Sequence, residues 1–412
     1  MKKSVGAKGL TAAVLGLALV TSLVGCSSEA ADSAAGEDGP IRVGVPLGLT
    51  GPAAGTADWD RMGVELSVEA VNAAGGIDGR EVEAIFVDTE LDPANAVTAV
   101  TRLINEDKID LMIGPMTSDE TLATLPALTK ANVPSISGAS SMLTPEISPY
   151  SFGVALNVQY QGQKMVEYAD EMFDAKRVAL INYTAAAGQA GHDAIVKALE
   201  EAGIELVAAE EYDIPVTDLS AQVLNLKKSD PDLILIVPQT GNDTGIFIKA
   251  MREAGMSVPV IGGNPTTYAG QVKAVAGDDA YEDVYSVNWA GFSACTTADA
   301  REGAVDFIEL IKSTYGEERT RSAAFDNIAS YHDALWFLKA GVEGAGSLDG
   351  DKVSAWLAEN GTEAATSPEI AVVHDAYSLS PESRYLMDTS SMTLVNAGTE
   401  LAPGIIQRVD GC

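Results

Sequence analysis

Histidine and cysteine are scarce in this chain, with three of each in 412 residues. His192, His332 and His374 lie far apart and match no metal-ligand spacing, so no metal site is expected. The sequence carries no C-x-x-C pair, Walker loop or G-x-S-x-G elbow, and Gly262-Gly263 lacks a dinucleotide-binding context. No cofactor is therefore expected, and nothing points to an enzyme. Triads built from distant residues leave no such motif, so hydrolysis of an amide stays as an alternative. Positive charge is scarce too: 26 lysines and arginines face 59 aspartates and glutamates, a formal charge of −33. That field opposes nucleic acid and anionic lipid headgroups. The apolar segment Leu10–Val20 is too short to span a bilayer comfortably and has no stop-transfer flank.

What is present at the N-terminus is an export signal. Lys2, Lys3 and Lys8 precede the apolar segment, and Leu23-Val24-Gly25-Cys26 resembles the bacterial lipobox. That resemblance implies cleavage before Cys26 and diacylation of its thiol. Two or more acyl chains anchor stably because each buried CH₂ contributes roughly 0.8 kcal/mol. The expected organisation is a signal peptide over 1–25 and a tether over 26–40, whose small and acidic residues cannot bury enough surface to offset ordering entropy. An extracytoplasmic location follows, with the membrane as a partner through Cys26. In that oxidising compartment the other two cysteines, Cys295 and Cys412, form a disulfide candidate.

From Ile41 onward, short apolar runs alternate with amphipathic ones. Strands are expected at Arg42–Leu49, Glu81–Asp88, Ile109–Ile113 and Val133–Ile136, with helices at Asp58–Ala74, Pro93–Asn105 and Asp119–Ala131 between them. A second series places strands at Arg177–Tyr183, Glu205–Glu210, Leu233–Val237 and Val258–Ile261, with helices at Gly191–Ala202, Leu219–Lys228 and Thr244–Ala254. Runs without clean alternation belong to parallel strands covered on both faces. The fold class is therefore α/β with two doubly wound lobes. Helical patterns follow at Ala300–Thr314, Ala323–Gly341 and Gly350–Asn360, then a strand- and loop-rich end with an apolar run at Ile370–Val373.

Ligands of open α/β sheets sit outside the carboxyl ends of the strands, so the loops there carry the site. Ile113 leads into Gly114-Pro115-Met116-Thr117-Ser118-Asp119-Glu120, where Thr117 and Glu120 have capping-box spacing. A helix start offers free N–H groups and partial positive charge to a carboxylate, and Ser118 adds a hydroxyl. Ser137-Gly138-Ala139-Ser140-Ser141 after the next strand is a second loop of small hydroxyl residues. Local capping is the other job open to these side chains.

Taken in order, VPLGLTGP (Val45–Pro52), EAVNAAGGIDGR (Glu69–Arg80), Asp92-Pro93, the two loops above, KAMREAG (Lys249–Gly255) and YHDALWFLKAGVEGAG (Tyr331–Gly346) resemble the leucine/isoleucine/valine-binding protein family. These are type I solute receptors of ATP-binding-cassette importers. The resemblance covers nearly all of the chain from Ile41. It implies two lobes joined by a three-segment hinge, with crossings near Phe152–Asn157, Val284–Asn288 and Pro368–Asp375. The N-terminal lobe would comprise 41–154 and 288–370, and the C-terminal lobe 155–287 and 371–412. It implies a small-molecule ligand (an amino acid, organic acid or amide) closing the lobes by contacts with both, and a membrane permease as partner. A sensor that presents the bound ligand to a membrane receptor is an alternative.

Carried over by residue, Ser118 matches a serine that bonds the ligand carboxylate, Ala139 a backbone contributor, and Ser141 a threonine whose hydroxyl it keeps. Thr56, Ala187 and Thr240 stand where the family has aromatic walls; a shift of a residue or two would bring in Trp59 or Tyr183 instead. Asn264 stands where a glutamate binds the ligand ammonium, and its carbonyl cannot supply that charge. Either the ligand lacks an ammonium or another acid has taken over. Asp243 is the candidate by topology, with helix capping as its other reading.

Overall fold

The computed structural model describes residues 39–51, 53–141, 143–364, 377, 379 and 381–412. The expected signal peptide, Cys26 and most of the tether lie outside them, as do the run Ile370–Val373 and the crossing at Pro368–Asp375.

The first series of elements is β1 (Ile41–Leu47), α1 (Ala54–Ala73), β2 (Val82–Asp88), α2 (Pro93–Arg102), β3 (Leu111–Ile113), α3 (Ser118–Ala131), β4 (Ser135–Ser137) and β5 (Ser151–Gly153). Its strands form a parallel sheet of order β2-β1-β3-β4-β5. The second series is α4 (Val158–Glu171), β6 (Arg177–Tyr183), α5 (Ala186–Ala202), β7 (Glu205–Tyr212), α6 (Ser220–Lys228), β8 (Leu233–Val237), α7 (Gly241–Glu253), β9 (Val260–Gly262), α8 (Ala269–Ala276), β10 (Val284–Trp289) and β11 (Ser293–Ala294). Then come α9 (Glu302–Tyr315), α10 (Glu317–Thr320), α11 (Phe325–Ala345), α12 (Gly350–Ala364), β12 (Met392–Ala402) and β13 (Ile405–Arg408). The second sheet runs β11-β13-β12-β10-β9-β8-β6-β7, with β12 antiparallel to β10 and β13. Its central strands are dry: every residue of β8 is buried. This is the two-lobed α/β fold of type I periplasmic binding proteins.

Both sheets reverse strand order next to their first strand, at β1/β3 and at β6/β8. A reversal leaves the two adjoining loops splayed apart, and the crevice between them is where such sheets bind ligands.

The sequence suggests no helix between Tyr150 and Lys176, yet α4 fills that stretch. Asn157 starts it, its side chain accepting from the backbone N–H groups of Gln159 and Tyr160. The chain also stays with each sheet longer than expected. β10 and β11 hold the second passage in the eight-stranded sheet through Ala294. Near the end, Gly153 N donates to Arg384 O at 2.7 Å and Leu386 N to Gly153 O at 3.1 Å. Those bonds keep residues 384–386 on the edge of the five-stranded sheet, and β12 begins only at Met392.

Although it follows β11 in sequence, α11 packs against α1 of the first lobe. Gly63 permits this approach: a Cβ there would lie 2.3 Å from Ile328 O. Cys295 and Cys412 are disulfide-bonded, tying the end of β11 to the C-terminus.

Candidate functional site

A cavity of about 150 Å³ lies between the two sheets. From the first lobe it is lined by Ala53 and Thr56 after β1, Met116 to Asp119 after β3, and Gly138 and Ser140 after β4. From the second it takes Tyr183 and Ala187 at the end of β6, Val237 to Thr240 after β8, and Gly263 to Pro265 after β9. These are the carboxyl ends expected to carry the site, and both switch points contribute. Three bonds join the lobes nearby. Gln271 Nε2 donates to Thr56 Oγ1 at 3.3 Å, Asn264 Nδ2 to Asp326 Oδ2 at 2.9 Å, and Val158 N to Ser140 O at 2.8 Å. Trp59 of α1 meets Tyr268 edge to face, ring centroids 5.4 Å apart.

The cavity wall includes Thr56, Thr117, Ser118, Ala187, Thr240 and Asn264 of the expected residues. Thr117 caps α3: its hydroxyl accepts from Glu120 N at 3.3 Å and donates to Glu120 Oε2 at 2.8 Å. Ser118 Oγ accepts from Ser140 N at 3.2 Å, which leaves its own proton to give. The N–H groups of the first α3 turn lie at the same wall, so a carboxylate there meets neutral donors and a helix start.

Ala139 and Ser141 are elsewhere. Both are fully buried, Ala139 among Leu125, Leu143 and Tyr385, and Ser141 Oγ has no hydrogen-bond partner among the described residues. Gly138 and Ser140 of the same loop line the cavity, and Ala139 and Ser141 do not. A Cβ on Gly138 would meet Tyr331 Oη at 2.3 Å.

Asp243 is also absent from the wall. It completes a capping box with Thr240 and accepts from the N–H groups of Gln239 at 3.1 Å and Thr240 at 3.3 Å. Burial raises its pKa while these bonds oppose the shift. The topological argument placed it after the correct strand, but its carboxylate turns back onto its own helix.

Asn264 is occupied by its protein neighbours. Its amide donates to Asn288 and Asp326, its carbonyl accepts from Tyr268 Oη at 3.0 Å, and its N–H goes to Gln161 Oε1 at 2.7 Å.

Sequence reasoning missed Asp60, Gln161, Tyr268, Asn327, Ser330 and Tyr331, all on the cavity wall. Asp60 is 1% exposed and accepts from the side-chain amide of Asn327. Burial lifts its pKa from 3.8 to about 8, against the opposing hydrogen bonds of Asn327 and Tyr331. A signal for it exists. Ala57, Asp60, Val64, Ser67 and Val71 recur at helical spacing, so Asp60 is an acid on the buried stripe of α1. No lysine, arginine or histidine lines the cavity among the described residues.

The comparisons with known proteins agree with this geometry. Residues 40–374 match the family described as periplasmic binding protein. A Leu/Ile/Val-binding protein homolog from Brucella melitensis is 27% identical over 339 residues, covering 81% of this chain and 87% of that protein. A leucine-, isoleucine-, valine-, threonine- and alanine-binding protein from Pseudomonas aeruginosa is 23% identical, covering 79% and 84%. Among solved structures, a type 1 periplasmic binding protein from Bordetella pertussis superposes with a TM-score of 0.73 at 25% identity, covering 86% of this chain and 96% of that one. The LivJ substrate-binding protein of Streptococcus pneumoniae, solved with isoleucine, gives 0.73 at 23% identity, covering 90% and 99%. With the family matched over most of the chain and the two-lobed fold in place, the protein belongs to the periplasmic binding proteins.

Proposed function

We propose that this protein is an extracytoplasmic receptor, anchored through a lipidated Cys26, that captures a small amino-acid-like ligand between its lobes and delivers it to an ATP-binding-cassette permease. One observation carries the reading: the cavity is walled by strand-end loops of both lobes, so an occupant contacts both and favours their closure. The names of the relatives, which are amino-acid-binding proteins, support the ligand class. Ser118 and the α3 start suit the carboxylate end, while positions 56, 187 and 240 carry small side chains and the rings on the wall are Tyr183, Tyr268, Trp289 and Tyr331.

A thermal-shift screen of amino acids, organic acids and amides on the full chain tests this. A true ligand raises the melting temperature with concentration, by mass action on the native state. No shift from any compound at millimolar concentration would overturn the receptor reading.

A further inference from the structure

A receptor cleft that holds an ammonium needs a negative group facing it, since an uncompensated buried charge is strongly unfavourable. Residue 264 is not that group: it is an amide, and its polar atoms are spent on Asn288, Asp326, Tyr268 and Gln161. Asp243 is turned onto α7. Asp326, to which Asn264 donates, is not part of the cavity wall. The wall contains two carboxylates, Asp60 and Asp119, and no basic side chain among the described residues. Asp119 is half-exposed at the mouth of α3, whereas Asp60 is enclosed by α1 and α11.

Resting on the receptor reading, we infer that Asp60 is the group that receives a positively charged amine of the ligand. The charge-reading pole then lies on the first lobe, on the same side as Ser118, and the second lobe closes over it with neutral groups. Asn327 and Tyr331 hold the carboxylate in place by donating to it, so no rearrangement is needed when the amine arrives.

With its pKa near 8, Asp60 carries a proton at neutral pH before ligand arrives. The titratable neighbours are Tyr331 on α11, Tyr268 beyond β9 and Glu120 on α3. Burial raises all three, and Glu120 is bonded to Thr89 and Thr117. His332 on α11 is held by Asp333. An incoming ammonium ionises Asp60, and the proton leaves to solvent.

The test is a matched panel on the full chain: each standard amino acid, its deaminated carboxylic acid and its decarboxylated amine. Thermal shift identifies binders, and calorimetry in two buffers of different ionisation enthalpy counts protons. The expected result is that amine-bearing compounds bind and the deaminated acids do not. At pH 7 about one proton should be released, and Asp60→Asn should weaken the best binder on the order of 30-fold or more and abolish the release. Asp60→Glu, which keeps the charge, should recover part of the affinity. A deaminated acid binding as tightly as its parent would overturn the inference while leaving the receptor intact. So would unchanged affinity in a folded Asp60→Asn protein. Silence of the whole panel would overturn both.

Discussion

Asn264 Nδ2 lies 2.9 Å from Asp326 Oδ2 and so joins the loop after β9 in one lobe to the start of α11 against the other. Burial raises the pKa of Asp326, and the Asn264 hydrogen bond is the largest opposing effect. Replacing Asn264 by leucine leaves Asp326 and Tyr268 without this partner in a dry setting. The expected loss is about 2–4 kcal/mol, for two buried groups left unsatisfied at roughly 1–3 kcal/mol each. Urea unfolding checks it, and an unchanged midpoint would show the bond to be replaceable by water.

Asp60 sets a slope in stability against pH. Its folded pKa is raised, so between 3.8 and about 8 the folded chain holds a proton that the unfolded chain has lost. Its favourable share is complete below the unfolded value and disappears as pH rises through the folded one. Asp60→Asn should therefore gain on wild type as pH climbs from 4 to 8, at up to about 1.4 kcal/mol per unit. Chemical unfolding at four pH values measures the difference, and parallel curves would place Asp60 in contact with water.

Of the two serines expected to bind the ligand, Ser118 lines the cavity and Ser141 does not. Ser118→Ala should weaken a carboxylate-bearing ligand by roughly 1.5–3 kcal/mol, as for a hydrogen bond to a charged group. Ser141→Ala should leave affinity unchanged, because its hydroxyl is buried away from the cavity. Calorimetry on the pair decides, and the reverse ranking would restore Ser141 to the site.

The Cys295–Cys412 bond joins residues 117 apart in sequence and ties the C-terminus to the end of β11 in the eight-stranded sheet. Replacing both cysteines by serine should cost roughly 2–5 kcal/mol. Both cysteines lie outside the cavity wall, so ligand affinity should change little. Thiol titration of unreduced protein should find neither residue reactive.

Cys26→Ser should leave the exported protein without its acyl chains. Intact mass and detergent partitioning check this, and no change in either would remove the anchor from the proposal.

Much of the architecture was legible in sequence because β8, Leu233–Val237, is an uninterrupted apolar run between helical patterns, and few folds bury such strands on both faces. Helix α4 escaped because its inward face includes Gln161 and Gly162, and its start rests on one asparagine cap. Thr117 and Ser118 were legible through capping-box spacing ahead of a helix, a local pattern that also marks an anion-binding helix start.

The sequence by itself determined the order of strands and helices and the loops that meet at a cleft, since periodicity and capping act over a few neighbouring residues. Only the tertiary structure decided which side chains enter that cleft. Ser140 rather than Ser141 lines it, and Asp243 is turned onto its own helix. Asp60 joins it because α11, more than 260 residues later, packs over α1 and shuts the carboxylate away from water.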